Sequence, residues 1–114
     1  MNMKKYRMLS LCFGVFLLLM SGCTSKENPF PDHEGGKIFL GLKHMNIRCS
    51  GCHGDLGGGG MSGPSLVKAV KNLKPEQFVA TVISGRGDMP SFNKKLQEEE
   101  ILQIVEWLKM LPED

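Results

Sequence analysis

The 114-residue chain predicts an all-α domain of three to five short helices. Three observations carry this expectation. Apolar residues recur three and four places apart in several separate stretches, as in helices with one buried face. No stretch alternates apolar and polar residues over the length of a strand. Glycine and proline gather between the periodic stretches and cut the chain into short pieces.

The N-terminal segment stands outside that domain. Lys4, Lys5 and Arg7 form a basic head, and residues 8–22 are an uncharged run rich in Leu and Phe. A basic head, an apolar run and small residues before a cysteine are the marks of a secretory signal. The run is about 15 residues, shorter than the roughly 20 that a spanning helix needs. An uncleaved N-terminal anchor is the alternative, and either one exports the domain. Leu19-Met20-Ser21-Gly22-Cys23 resembles the lipobox of bacterial lipoproteins, with Met20 where Leu is usual. That resemblance implies that Cys23 is the lipidated first residue of the mature chain, held on a bacterial membrane and facing the periplasm or the cell exterior. Thr24 is not the Asp that retains some lipoproteins at the inner membrane, which leaves the choice of membrane open.

The expected division is therefore signal 1–22, lipidated Cys23 with a flexible tether 23–35, and domain 36–114. The chain has 14 Lys and Arg against 12 Asp and Glu. Without the three basic residues of the head, 11 face 12, a balance of −1. Such a domain lacks the basic face that nucleic acid selects, and no nucleic-acid partner is expected.

Residues 24–35, TSKENPFPDHEG, are polar and broken by prolines, which favour extended backbone before them. Ile38, Phe39, Leu42 and Met45 predict a first helix over 36–46. Residues 49–64 are rich in glycine and predict a loop after one turn. A short helix is expected over 65–72. Pro75 suits the first position of a helix whose apolar face is Phe78, Val79, Val82 and Ile83, ending at Gly85. Another loop follows over 85–95. Glu98, Glu99 and Glu100 then fill the first turn of the clearest helix, where the backbone dipole favours negative charge. Ile101, Ile104, Val105, Leu108 and Leu111 form its stripe, and Pro112 ends it. A domain of about 80 residues with so many glycines has a thin core, and a buried cofactor would staple it.

Four cysteines are present: Cys12 in the signal, Cys23 in the lipobox, and the close pair Cys49 and Cys52. The pair could close a local disulfide in an exported domain. His53 follows at once, however, and Cys49-Ser50-Gly51-Cys52-His53 is the C-x-x-C-H signature of covalent haem attachment. Two intervening residues let one helical turn present both thiols to the vinyl groups on one porphyrin edge, and the adjacent imidazole falls beneath the iron. A thioredoxin-like pair needs a βαβ unit, and no strands are evident. A structural zinc site needs four ligands; only His33 and His44 remain, both upstream and without paired spacing.

The sixth iron position has six candidates: Met45, Met61, Met89, Met110, His33 and His44. His44 and Met45 lie just before the attachment turn and belong on its side of the ring. Met110 lies in the last helix. Met61 sits eight residues past His53, a short path around the ring edge, and is the second choice. Met89 lies in a loop 36 residues past His53, ample chain to reach the far face, and is the first choice.

Three pieces in order over residues 36–111 resemble class I cytochromes c. Residues 85–92, GRGDMPSF, resemble the family's distal loop, whose methionine binds iron; that implies Met89. Gly63-Pro64-Ser65-Leu66 resembles the stretch whose proline carbonyl accepts the proton of the proximal imidazole, which implies that Pro64 orients His53 and that Leu66 packs on the haem. Gly41 and Met45, eight and four residues before Cys49, fall on the family's glycine and aromatic positions at the crossing of first and last helices, with Ile104 and Trp107 as their partners. Met45 departs from the aromatic, and Phe39 could fill its place. Gln97 departs from the usual Ser or Asp cap of the last helix.

The resemblance implies a cytochrome c fold around one haem c, bound through Cys49 and Cys52 and ligated by His53 and Met89. It implies a monomeric, non-enzymatic electron carrier with redox proteins as partners. A tethered shuttle is preferred over a dedicated electron-accepting subunit of a dehydrogenase or oxidase. A ligand sensor or peroxidase would require a labile Met89. Residues 57–60 are not a phosphate cradle, because no Gly-Lys-Ser or Gly-Lys-Thr follows. Arg86-Gly87-Asp88 as an adhesion tripeptide and Glu98 to Glu100 as anything but a solvated helix start rest on too few residues to carry a function.

Overall fold

The computed structural model describes residues 26–113. The signal 1–22 and Cys23 lie outside the described residues. Five helices follow in order: α1 (Glu34–Phe39), α2 (Ser50–His53), α3 (Leu66–Asn72), α4 (Pro75–Ser84) and α5 (Glu98–Met110). The described residues contain no strand, only an isolated bridge between Arg86 and Met89. None of these helices is long and apolar enough to cross a membrane. The all-α expectation holds.

α5 is the axis of the domain. Ile101, Ile104, Val105, Trp107 and Leu108 are buried along it, and α1, α3 and α4 all pack on it. Burying one large side chain of this kind contributes roughly 1.5–3 kcal/mol. Its start is secured without the usual cap: Glu100 Oε2 accepts the Gln97 N–H at 3.0 Å, so the side chain one turn later does the work that Ser or Asp does elsewhere. Ser65 Oγ accepts the Lys68 N–H and caps α3, while Gln77 Oε1 accepts the Lys74 N–H and caps α4 behind Pro75.

The first helix departs from expectation. It runs over Glu34–Phe39, not 36–46. Gly41 takes a left-handed backbone at φ +78°, its N–H donates to Ile38 O at 3.1 Å, and the Leu42 N–H donates to Lys37 O at 2.8 Å. This double bond pattern terminates helices on glycine. Leu42 and Met45, which read as a continued apolar face, are 72% and 98% exposed.

The crossing of α1 and α5 therefore uses other residues than Gly41 and Met45. A methyl group on Gly35 would fall onto the backbone carbonyl of Gln103, and one on Gly36 would come 2.7 Å from Trp107 Nε1. Phe39 takes the aromatic place, with its ring centroid 5.1 Å from that of Trp107 at a 42° tilt. The crossing pattern is kept but displaced six residues toward the N-terminus, because a surface loop separates α1 from Cys49. His44 Nε2 lies 2.7 Å from Glu100 Oε1 and ties that loop to the head of α5. Lys43 reaches both Glu100 and Glu34, at 3.8 and 3.5 Å.

Candidate functional site

Cys49, Cys52 and His53 share one turn of helix. The His53 N–H donates to Cys49 O at 3.0 Å, and α2 ends directly after it at Gly54. The two thiols are free, so the alternative of a local disulfide is not formed. Cys49 is half-buried and packs against the core, whereas Cys52 is exposed. Burial pushes the Cys49 thiol up to about 11. Among the described residues no group of three His, Cys, Asp or Glu is arranged to hold a metal ion.

His53 is 7% exposed, one of two polar side chains buried in the described domain. Its Nδ1 lies 2.9 Å from Pro64 O. A carbonyl oxygen only accepts, so Nδ1 is the donor of this bond and Nε2 is the ring nitrogen free of it. The ring is also fixed from behind. A methyl group on Gly63 would sit 2.7 Å from His53 Nδ1 and 2.8 Å from Cε1. Residue 63 must be glycine for the Pro64 carbonyl to approach, a requirement that the sequence reading missed. The loop from α2 to α3 closes on itself through Gly59 N–H to His53 O at 2.8 Å, and Gly57 O accepts the Leu66 and Val67 N–H groups at 2.8 and 3.1 Å.

Across the domain, residues 85–92 form a hairpin-like turn. Arg86 and Met89 exchange backbone hydrogen bonds of 3.1 and 2.9 Å, and Gly87 has the positive φ, +56°, that such a turn needs at its first central position. The Phe92 N–H donates to Val82 O at 3.1 Å and binds the loop to α4. Met89, Phe92 and Leu66 are half-buried and pack against the core.

The other candidates for the sixth position are engaged or turned outward. His33 Nδ1 accepts the Gly35 N–H at 3.1 Å and caps α1, and His44 is on Glu100. Met61 and Met45 are fully exposed, and Met110 is 45% exposed. Of the methionines and histidines outside the attachment turn, Met89 alone among these candidates faces the core from a loop.

These residues fit haem c. A buried imidazole oriented through Nδ1, two free thiols on the same turn and a core-facing thioether from a separate loop are the donor set that covalent haem with two axial ligands requires. The thioredoxin reading fails for lack of any strand among the described residues.

A family model described as cytochrome C oxidase, cbb3-type, subunit III matches residues 40–108, more than half of the chain. Cytochrome c-555 of Methylococcus capsulatus (strain Bath) is 45% identical over 68 residues, which are 58% of this chain and 51% of that protein. Cytochrome c6 of Leptolyngbya boryana is 35% identical over 75 residues, 61% of this chain and 80% of its own. The cytochrome c subunit of the menaquinol:cytochrome c reductase of Bacillus subtilis (strain 168) is 33% identical over 75 residues, 66% of this chain and 27% of that subunit. The chain thus spans about half the length of the first of these relatives and about a quarter of the last. No solved structure matches it. With this family match resting on the same segment that holds the attachment turn, the chain belongs to the family of small class I c-type cytochromes, whose cofactor is haem c.

Proposed function

We propose that the chain carries single electrons through one haem bound to Cys49 and Cys52, ligated by His53 and Met89, while its N-terminus is held on a membrane on the exported side. The single observation that supports this most is the buried His53 with Nδ1 pinned to Pro64 O at 2.9 Å. That bond orients the ring through Nδ1 and leaves Nε2 free of it. Haem bound there supplies reversible one-electron exchange at its iron. The chain's residues do the rest. Pro64 and Gly63 hold the imidazole in one orientation, Leu66 and Phe92 exclude water, and the Gly87 turn sets Met89. A neutral thioether opposite an imidazole favours the reduced state more than a second imidazole does.

Exchange takes place where Cys52 and Gly51 are exposed, beside the open glycine loop. Redox partners meet such an edge through small, transient interfaces. Membrane attachment is supported by the basic head, the apolar run 8–22 and the lipobox-like residues 19–23. The dedicated-subunit reading draws support from the reductase subunit among the relatives. A sensor or peroxidase needs a mobile sixth ligand, and the packing of Met89 on the core speaks against it.

The test is production of the full chain with haem-maturation machinery. Absorbance that stays with the polypeptide through acidic organic extraction is expected for the wild type and lost in Cys49→Ser/Cys52→Ser. Cys23→Ala is expected to abolish incorporation of labelled fatty acid into the chain. A colourless yet compact wild-type protein contradicts the proposal.

A further inference from the structure

Residues 26–33 read as a flexible tether in the sequence, yet they lie on the domain. The Phe30 ring packs against the core. Its N–H donates to Asn28 Oδ1 at 3.0 Å, the His33 N–H donates to Phe30 O at 3.2 Å, and His33 in turn caps α1. At the start of this strap, Lys26, Glu27 and Pro29 line one cleft together with Leu111, Pro112 and Glu113. The strap therefore enters the domain at the C-terminal end of α5. Gly58 of the glycine loop lines the same cleft, and a methyl group on Gly60 of that loop would sit 2.5 Å from Cys52 O. The attachment turn is thus adjacent to the strapped end.

We infer that the strap is a short leash that fixes which end of the domain faces the bilayer: the C-terminal end of α5 with the glycine loop lies toward the lipid, and the N-terminal end of α5 lies away. This rests on the proposed membrane attachment, and holds whether Cys23 is lipidated or the apolar run stays as an anchor. Three chain steps from Cys23 to Lys26 span at most about 11 Å. α5, with 13 residues, is about 20 Å long. The leash is shorter than the axis it would have to swing around. Electron exchange near Cys52 then occurs close to the bilayer surface, which suits a redox partner that is itself held in the membrane.

The test uses the full haem-loaded chain in vesicles of phosphatidylethanolamine and phosphatidylglycerol containing a small fraction of lipid with an amine-reactive headgroup. Adducts are mapped by peptide mass spectrometry and normalised to a water-soluble amine reagent. Lys68 is expected to react about tenfold more than Lys43 and Lys95, because a short tether gives one end a far higher effective concentration at the surface. Twelve Gly and Ser residues inserted between Ser25 and Lys26 are expected to bring the sites level. Equal labelling in a membrane-bound wild type overturns the orientation alone. A bias that survives the insertion overturns the leash as its cause. A chain that stays out of the membrane fraction overturns the attachment, and the orientation with it.

Discussion

At the α1–α5 crossing, the backbone of Gly35 lies against the Gln103 carbonyl, Gly36 lies under the Trp107 ring, and Phe39, Ile38 and Trp107 are wholly buried. The loop 85–97 is held by backbone hydrogen bonds, with Leu96 buried and Met89 and Phe92 half-buried against the core. The first region is closed by the apolar packing of the polypeptide, while the second leaves Met89 and Phe92 only partly covered, where bound haem would complete the packing. A small domain can divide its stability this way because close packing at one crossing holds the frame, while the cofactor completes the rest of the core.

The largest expected effect in the frame is Trp107→Ala, at about 4 kcal/mol of destabilisation in urea unfolding of the haem-loaded protein. Trp107→Phe should cost much less than that. It keeps most of the ring and removes an indole N–H that is buried with no hydrogen-bond partner among the described residues, itself a penalty of about 1–3 kcal/mol. Gly35→Ala comes next, at about 2–3 kcal/mol, because the added methyl has only backbone to push against. Gly51→Ala, in the attachment turn, is its control: no other residue's atom lies within 4 Å of the added methyl, and its effect should stay within about 0.5 kcal/mol of zero. Equal effects at Gly35 and Gly51 would break the comparison.

A smaller effect belongs to Glu100, which links the loop before Cys49 to the head of α5. The Gln97 N–H, then His44 and Lys43, hold its carboxyl below the ordinary carboxylate range. A carboxylate whose folded value is depressed stabilises the fold above its unfolded value, and loses that contribution as pH falls through the folded one. Glu100→Gln should therefore cost about 1 kcal/mol at neutral pH. The gap to wild type should close on acidification below the usual carboxylate range. A pH-independent gap would mean that the ion pairs contribute nothing.

The sequence was most legible where local rules act alone. The stripe and acidic first turn of α5, Pro75 at the head of α4, and the attachment turn all follow from spacing within a few residues. Of the site, Pro64 lies behind His53 as the resemblance implied, and Met89 lies on a core-facing loop. The first helix was misread because Leu42 and Met45 continue its apolar period, while the left-handed Gly41 that stops it looks like any other glycine. Counting back from Cys49 then put the crossing at Gly41, since nothing local signals the loop that displaces it to Gly35 and Gly36. The tie from His44 to Glu100 spans 56 residues and leaves no sequence trace. Gly63 was legible only as part of the proline stretch, because the reason it must be glycine is the ring of His53, ten residues back in the chain.

The central claim is that the domain's frame delivers one thioether, that of Met89, to the face opposite His53. The most direct measurement is the visible spectrum of the ferric protein for wild type, Met89→Ala and Met61→Ala. The account predicts that the weak charge-transfer band of sulfur-ligated haem is present in wild type and Met61→Ala and absent in Met89→Ala. Loss of the band in Met61→Ala with its retention in Met89→Ala would contradict it.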